Sequence, residues 1–257
     1  MAIAFVGKGT PLSAAGLNAA AERLGTGAAE IWTVIRVETS GCGFLADRRP
    51  KILFERHAFS RASGGRFDAE HPDLSNRQPG GYGTGGAAQY ARLERAMALD
   101  ERAALESCSW GLGQVMGYHA GRLGYRDAAE MARAMVTGED AQLGAMAGFI
   151  AAFDIGRWLK AHDWTNFARA YNGPAFERNQ YDRKLKAAFE ALGRGRLPGL
   201  DLRAAQIGLT YRGLDPGPID GQMGSQTGQA LRAFQARAGL AESGRLDAAT
   251  KAALERD

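Results

Sequence analysis

Glu38 and Glu55 are the residues of this sequence best suited to do chemistry. Glu38 closes the run AEIWTVIRVETSG, where Ile31, Val34, Ile35 and Glu38 fall at i, i+3, i+4 and i+7. That spacing predicts a helix whose apolar stripe continues onto the carboxylate. A carboxylate on such a stripe is costly to ionise, so its pKa rises toward the range of a general acid working near neutral pH. The other reading is a partly exposed glutamate at a frayed helix end. Glu55 lies in KILFERHAF, residues 51–59, where Ile52, Phe54 and Phe59 predict a short strand. Alternation along that strand turns Phe54 to a core and Glu55 to the open face. Paired carboxylates suit glycoside hydrolysis: one protonates the leaving oxygen, while the other activates water or stabilises the cation. Alternatively, Glu55 makes a surface ion pair with Arg56 or Arg49.

Further polar and aromatic residues could hold a sugar chain. SWGLGQVMG, residues 109–117, supplies Gln114, whose amide can donate to and accept from hydroxyls and acetamides. Its glycines permit close backbone approach. Read without chemistry, the segment is a turn beside a packed Trp110. RAYNGPAF, residues 169–176, places Tyr171 and Asn172 before a Gly-Pro turn. Tyr171 would lie along a sugar face, hydrogen-bond the acid, or merely cap its helix. Thr39, Ser40 and Gly41 are small and follow Glu38 directly, which would let a polymer approach. Asp68 and Asp73 suit Asx turns or the positioning of water. His57, His71, His119 and His162 are scattered, and no spacing suggests zinc. No metal or cofactor is expected.

The elements that must position these groups read as mostly helical. Beyond the helix at about 28–39, helices are predicted from Thr10-Pro11 to about Leu24, and over about 87–98, 100–108, 113–121, 127–136, 139–153, 155–161, 164–171 and 175–191. Residues 60–87 form a long Gly-, Pro- and Asp-rich segment, and such loops are usually functional. GRGRLPGLD, residues 193–201, reads as a linker. Beyond it, three helical patterns alternate with Gly- and Pro-rich turns. Ser225 and Asp247 stand as N-caps, and Ala230, Leu231, Phe234 and Ala238 form an apolar face.

With 257 residues, 45% hydrophobic and 23% charged, the chain has the composition of a globular protein. Its net charge of +4 suits an anionic polymer, and residues 201–257 balance their charges, so the excess lies before them. No nucleic-acid module is visible. The apolar run at 143–153 is too short to span a bilayer, and the N-terminus lacks the regions of a secretory signal. Delivery outside the cytoplasm would then need a holin or a secretion machine. Cys42 and Cys108 read as buried thiols or as a pair if the fold joins them.

Glu-Thr-Ser-Gly, SWGLGQVMG and YNG, in that order, resemble the motifs of the lysozyme-like superfamily. With KILFERHAFSRASGGRFDAEHPDLSN, GGYG and FARAYNGPAFERNQYDRKL, the chain resembles the phage and bacterial N-acetylmuramidase family of endolysins over about residues 12–191. IDGQMGSQTGQALRAFQARAGL and GRLDAATKAAL resemble the peptidoglycan-binding domain of type 1. The resemblance implies a mainly α, lysozyme-like α+β domain over residues 1–192, a linker at 193–200 and a three-helix wall-binding domain at 201–257. It implies a monomeric enzyme acting on peptidoglycan glycan strands and stem peptides, with no nucleic acid and no membrane insertion. Glu38 would be the acid and Glu55 the second carboxylate, with Tyr82 of GGYG, Gln114, Tyr171 and Asn172 binding substrate. Thr39 stands where Ser is commoner. The rival readings are a lytic transglycosylase using Glu38 alone, and a wall-binding structural protein without activity.

Overall fold

A computed structural model describes residues 3–256, apart from the side chain of Ala175. In chain order it contains α1 (Ala14–Leu24), α2 (Ala28–Thr39), β1 (Ile52–Phe54), α3 (Arg56–Ala62), α4 (Ala88–Glu106), β2 (Cys108–Trp110), β3 (Val115–Met116), α5 (Ala128–Thr137), α6 (Glu139–Ala152), α7 (Gly156–Lys160), α8 (Trp164–Asn172), α9 (Tyr181–Arg194), α10 (Leu200–Tyr211), α11 (Ser225–Arg237) and α12 (Ala248–Glu255). Short 3-10 turns occupy Gly111–Gly113, Gly117–Leu123 and Pro174–Asn179. The fold is mainly α with one small sheet. It divides into two compact units. The first comprises the segment ending at Thr10, Gly43–Leu45 and Arg49–Asp154; the second comprises Pro11–Cys42, Ala46–Arg48 and the segment from Ile155 onward.

The first unit holds the sheet, ordered β1-β2-β3 and antiparallel throughout. Ile52 pairs with Trp110 and Phe54 with Cys108. Strand β1 ends sooner than KILFERHAF predicts. Its pairing stops at Phe54, Glu55 is the N-cap of α3, and the chain is helical from Arg56. Residues 113–121 are not the predicted helix either. Gln114 sits in the left-handed region at φ +48°, which stops the 3-10 turn and sends the chain into β3. The helices expected at 87–98 and 100–108 are the two helical stretches of α4, which meet at a kink at Asp100. There φ is −158° and Asp100 Oδ1 accepts the Ala103 N–H at 2.9 Å, a cap placed inside the helix. Between α3 and α4 the long loop contains turns and no strand or helix. Helix α6 carries the apolar run and is buried on most of its circumference. None of the described helices is long and apolar enough to cross a membrane.

The second unit packs α2 along α9, with α8 beside α9 and α1 beside α2. Helix α1 begins at Ala14 rather than at Thr10-Pro11. Ser13 is its cap and accepts the Gly16 N–H at 3.0 Å, while Thr10 bridges to Gly138 in the first unit. Ile31, Val34 and Ile35 of α2 are fully buried. Helices α10, α11 and α12 close on Leu209, Ala230, Leu231 and Phe234. Ala238 is exposed rather than part of this face, because α11 ends at Arg237. Helix α11 starts at Ser225 itself, after Gly224 and with no side-chain cap, whereas Asp247 caps α12 by accepting the Thr250 N–H at 2.8 Å.

Two buried glutamines tie these three helices together in parallel ways. Gln206 accepts from the Gly221 N–H at 2.8 Å and donates to Thr227 Oγ1 at 3.2 Å. Gln235 accepts from the Gly244 N–H at 2.9 Å and donates to Thr250 Oγ1 at 2.9 Å and the Arg245 carbonyl at 3.0 Å. Each amide thus joins one helix to the loop and first turn of the next. Gln235→Ala is expected to destabilise the folded chain by about 2–3 kcal/mol, because buried partners lose their hydrogen bonds. Urea unfolding checks this, and an unchanged midpoint would contradict it.

Candidate active site

Glu38 stands in the last turn of α2, one turn beyond Ile35 on the buried stripe. The residue keeps partial exposure while its carboxyl is desolvated, and burial pushes its pKa from the ordinary 4.5 up to about 8. The Tyr181 phenol, at the start of α9, donates to Glu38 Oε1. A donated bond favours the ionised carboxylate and is worth about 1 kcal/mol net, whereas a shift of this size represents roughly 5 kcal/mol, so burial wins. The bond holds one carboxyl oxygen and leaves the other to carry the proton. Tyr171, near the end of α8, lies within the electrostatic reach of Glu38. Burial and that carboxylate's charge raise its phenol well above the usual range, so it stays neutral. Its ring stacks on Phe167 with centroids 5.3 Å apart. Asn172 is the exposed last residue of α8.

The small residues after Glu38 are used within the fold. Thr39 is buried and its hydroxyl donates to the Ile35 carbonyl at 3.1 Å. Ser40 and Gly41 both adopt positive φ, 55° and 94°, which ends the helix. A Cβ on Gly41 would lie 2.2 Å from the Ile219 carbonyl oxygen.

Glu55, Tyr82 and Gln114 belong to the first unit. The Glu55 N–H donates to the Ser107 carbonyl at 2.9 Å, which fixes the residue between β1 and α3. Its carboxyl is pushed up by burial and pulled down by His57 and Arg61, with burial the larger effect. His57 Nδ1 lies 3.3 Å from Glu55 Oε2, outside hydrogen-bonding geometry, so the pair is an electrostatic contact. Tyr82 is 38% exposed, and burial together with the Glu55 charge raises its phenol. The Tyr82 carbonyl accepts from Gln89 Nε2 at 2.7 Å, and Gln89 Oε1 accepts the Phe54 N–H at 3.0 Å, so one buried amide ties the long loop to β1. Tyr118 is 46% exposed beside Arg61, whose guanidinium lies 5.3 Å from its ring centre. The Gln114 amide is spent inside the sheet. Its nitrogen donates to the carbonyls of Gly111 at 2.8 Å and Lys51 at 3.2 Å, and its oxygen accepts from Ser109 at 2.9 Å.

The remaining candidates are structural. Asp68 accepts from Ser75 at 2.6 Å and Ser60 at 3.1 Å, and these hydroxyls lower its pKa. Asp73 pairs with Arg95 at 2.7 Å. His119 packs against Phe149 and Phe153, and burial lowers its pKa to about 4. Among the described residues no three His, Cys, Asp or Glu form a metal-binding group. Cys42 and Cys108 are buried and form no disulfide. Neither Tyr181 nor Tyr118 is marked by the sequence, whereas His57 is, without a role. NQYDRKL offers no periodic signal for Tyr181, which reaches Glu38 only because α9 lies along α2.

The described residues form a mainly helical fold with a small sheet, followed by three further helices. The chain belongs to the N-acetylmuramidase family, which it matches over residues 27–193. Residues 198–254 match the putative peptidoglycan binding domain. The chain is also similar to a phage protein of known structure, the Burkholderia AP3 phage endolysin. The two are 42% identical over 71% of each chain, with a TM-score of 0.65. No curated protein matches it significantly. The protein is therefore a peptidoglycan hydrolase.

The raised Glu38 pKa has a consequence for stability. The native state holds this proton more tightly than the unfolded chain, so the group's full contribution is present below pH 4.5 and is lost as pH rises to about 8. Glu38→Gln removes that loss. The variant is expected to gain up to a few kcal/mol over wild type at pH 8, and the gain should vanish near pH 4. Thermal unfolding across this range checks the sign, and a variant less stable at pH 8 would contradict it.

Proposed function

We propose that this hydrolase cleaves the β-1,4 bond between N-acetylmuramic acid and N-acetylglucosamine, with Glu38 as general acid and Glu55 as second carboxylate. The observation that carries the proposal is the Glu38 carboxyl, desolvated and still protonated near neutral pH. Its free oxygen hands the proton to the glycosidic oxygen as the bond to the anomeric carbon breaks. Positive charge then builds on the sugar. Glu55 acts in its ionised form, as base for water or as stabiliser of that charge. His57 and Arg61 favour this form and counter the burial that opposes it. Carboxyls whose surroundings differ in this way suit opposite roles.

Tyr82, Gln114, Tyr171 and Asn172 contact the glycan in this reading. Gln114 does so with the remaining lone pair of its carbonyl, since both amide protons are engaged. Residues 1–192 act as the catalytic domain, 193–200 as linker and 201–257 as the wall-binding domain, a layout supported by the two family matches. Where the linker meets that last domain, a groove of about 740 Å³ carries the exposed side chains of Leu197 and Met223 beside the Asp201–Lys251 pair. This groove receives the wall, and the enzyme works as a monomer.

Digestion of purified peptidoglycan with product mass analysis tests the reaction. Reducing muropeptides that carry an added water are expected, whereas anhydromuropeptides would mean transglycosylation. Glu38→Gln should abolish release, and Glu55→Gln should lower it by about 10²-fold or more. Near-normal activity in either variant would remove that residue from the mechanism.

A further inference from the structure

Arg203 is the second largest fully buried side chain among the described residues, and it belongs to the region that matches the wall-binding family. Burying a guanidinium is costly unless its hydrogen bonds and charge are met. Here Nε and Nη2 donate to one acceptor, the Gly41 carbonyl, at 2.9 and 2.6 Å. The guanidinium also lies over the Trp32 ring of α2, 5.4 Å from its centre. Gly41 is three residues beyond Glu38 and lies in the region that matches the muramidase family.

Two more contacts join the same regions. The Ile219 carbonyl fills the place where a Gly41 side chain would stand, so only glycine fits that approach. The Arg48 guanidinium lies 5.1 Å from the centre of the Tyr211 ring of α10. The cation also sits where a helix C-terminus favours positive charge. A tether would need none of this. A flexible module would leave Arg203 in water and would not crowd Gly41.

We infer that Arg203 is a positioning residue for the acid: through the Gly41 carbonyl and Trp32, the C-terminal module fixes the end of α2 that presents Glu38. The inference rests on Glu38 being the acid. It makes the module part of the catalytic apparatus as well as a wall anchor. With the clasp removed, the last turn of α2 loosens, water reaches the carboxyl, and proton delivery is misaligned. From neighbouring helices, Tyr171 of α8 and Tyr181 of α9 face Glu38, and burial together with the Glu38 charge raises the Tyr171 phenol so that it stays neutral in this range.

The test compares full-length wild type, Arg203→Met, Arg203→Lys and Glu38→Gln on purified peptidoglycan. Arg203→Met keeps the side chain's bulk but removes both donors. It is expected to lower kcat about tenfold, a loss typical of a slightly misplaced catalytic group. It should also move the alkaline limb of the pH–rate profile down by about one unit, toward the pKa of a hydrated carboxyl. KM and pelleting with purified sacculi should stay as in wild type. Arg203→Lys, with one donor site, should fall between. A reduced rate with an unmoved alkaline limb would mean that Arg203 only stabilises the fold, and would overturn the inference. Wild-type kcat and limb would overturn it as well. If Arg203→Met does not fold, Arg203→Lys decides by the same two readings. An active Glu38→Gln would sink the acid assignment itself, whereas a dead Glu38→Gln beside a normal Arg203→Met would sink only the role of Arg203.

Discussion

The desolvation of one carboxyl is the constraint on which the rest of this structure depends. Ile31, Val34 and Ile35 bury one face of α2, and Glu38 is the next residue on that face. The fold sets there a group that water would ionise near pH 4.5 and burial holds protonated to about 8. At neutral pH that costs the native state a few kcal/mol, a sizeable part of an ordinary domain's stability. A packing optimum would place an aliphatic residue at this point. The second unit is arranged to keep the acid there: α9 runs along α2 and brings Tyr181 to one carboxyl oxygen, and α8 brings Tyr171 within reach of its charge.

Glu55 is held by different means. The acid rides on a helix, whereas Glu55 is fixed at a junction, its N–H bound to Ser107 and its carbonyl accepting the first turn of α3. His57 and Arg61 lie within electrostatic reach of Glu55, as do the phenols of Tyr82 and Tyr118, whereas Tyr171 and Tyr181 lie beside Glu38. Burial raises both carboxyls, but only at Glu55 do His57 and Arg61 oppose it. The sheet is small because its work is local. Three short strands, closed by the Gln114 amide and tied to the long loop by Gln89, are enough to fix the start of α3.

Much of this was legible in the sequence where the signal was local. The stripe through Glu38, the loop rich in glycine and proline, the cap at Asp247 and the helical C-terminal module follow from spacing and capping chemistry. Strand β2 did not, because CSW is three residues long and is a strand by virtue of its pairing with β1, some 56 positions earlier, and with the two-residue β3. The early end of β1 has the same origin: Phe59 fits a strand pattern and a buried helical position equally well, and only the partner strand decides. Long-range contacts to the site were equally hidden. Nothing in LDLRAAQ marks Arg203 as buried, since arginines on helices usually face water. Gly41 read as room for substrate, whereas it makes room for the Ile219 carbonyl.

The contacts of α8, α9 and the C-terminal module all converge on the end of the helix that carries the desolvated Glu38. The central claim is that Glu38 remains protonated at neutral pH because its carboxyl is desolvated. Titration of that carboxyl carbon by NMR, with Glu38→Gln used to assign the resonance, tests it most directly. A midpoint close to 8 is expected; a midpoint close to 4.5 would contradict the desolvation of Glu38.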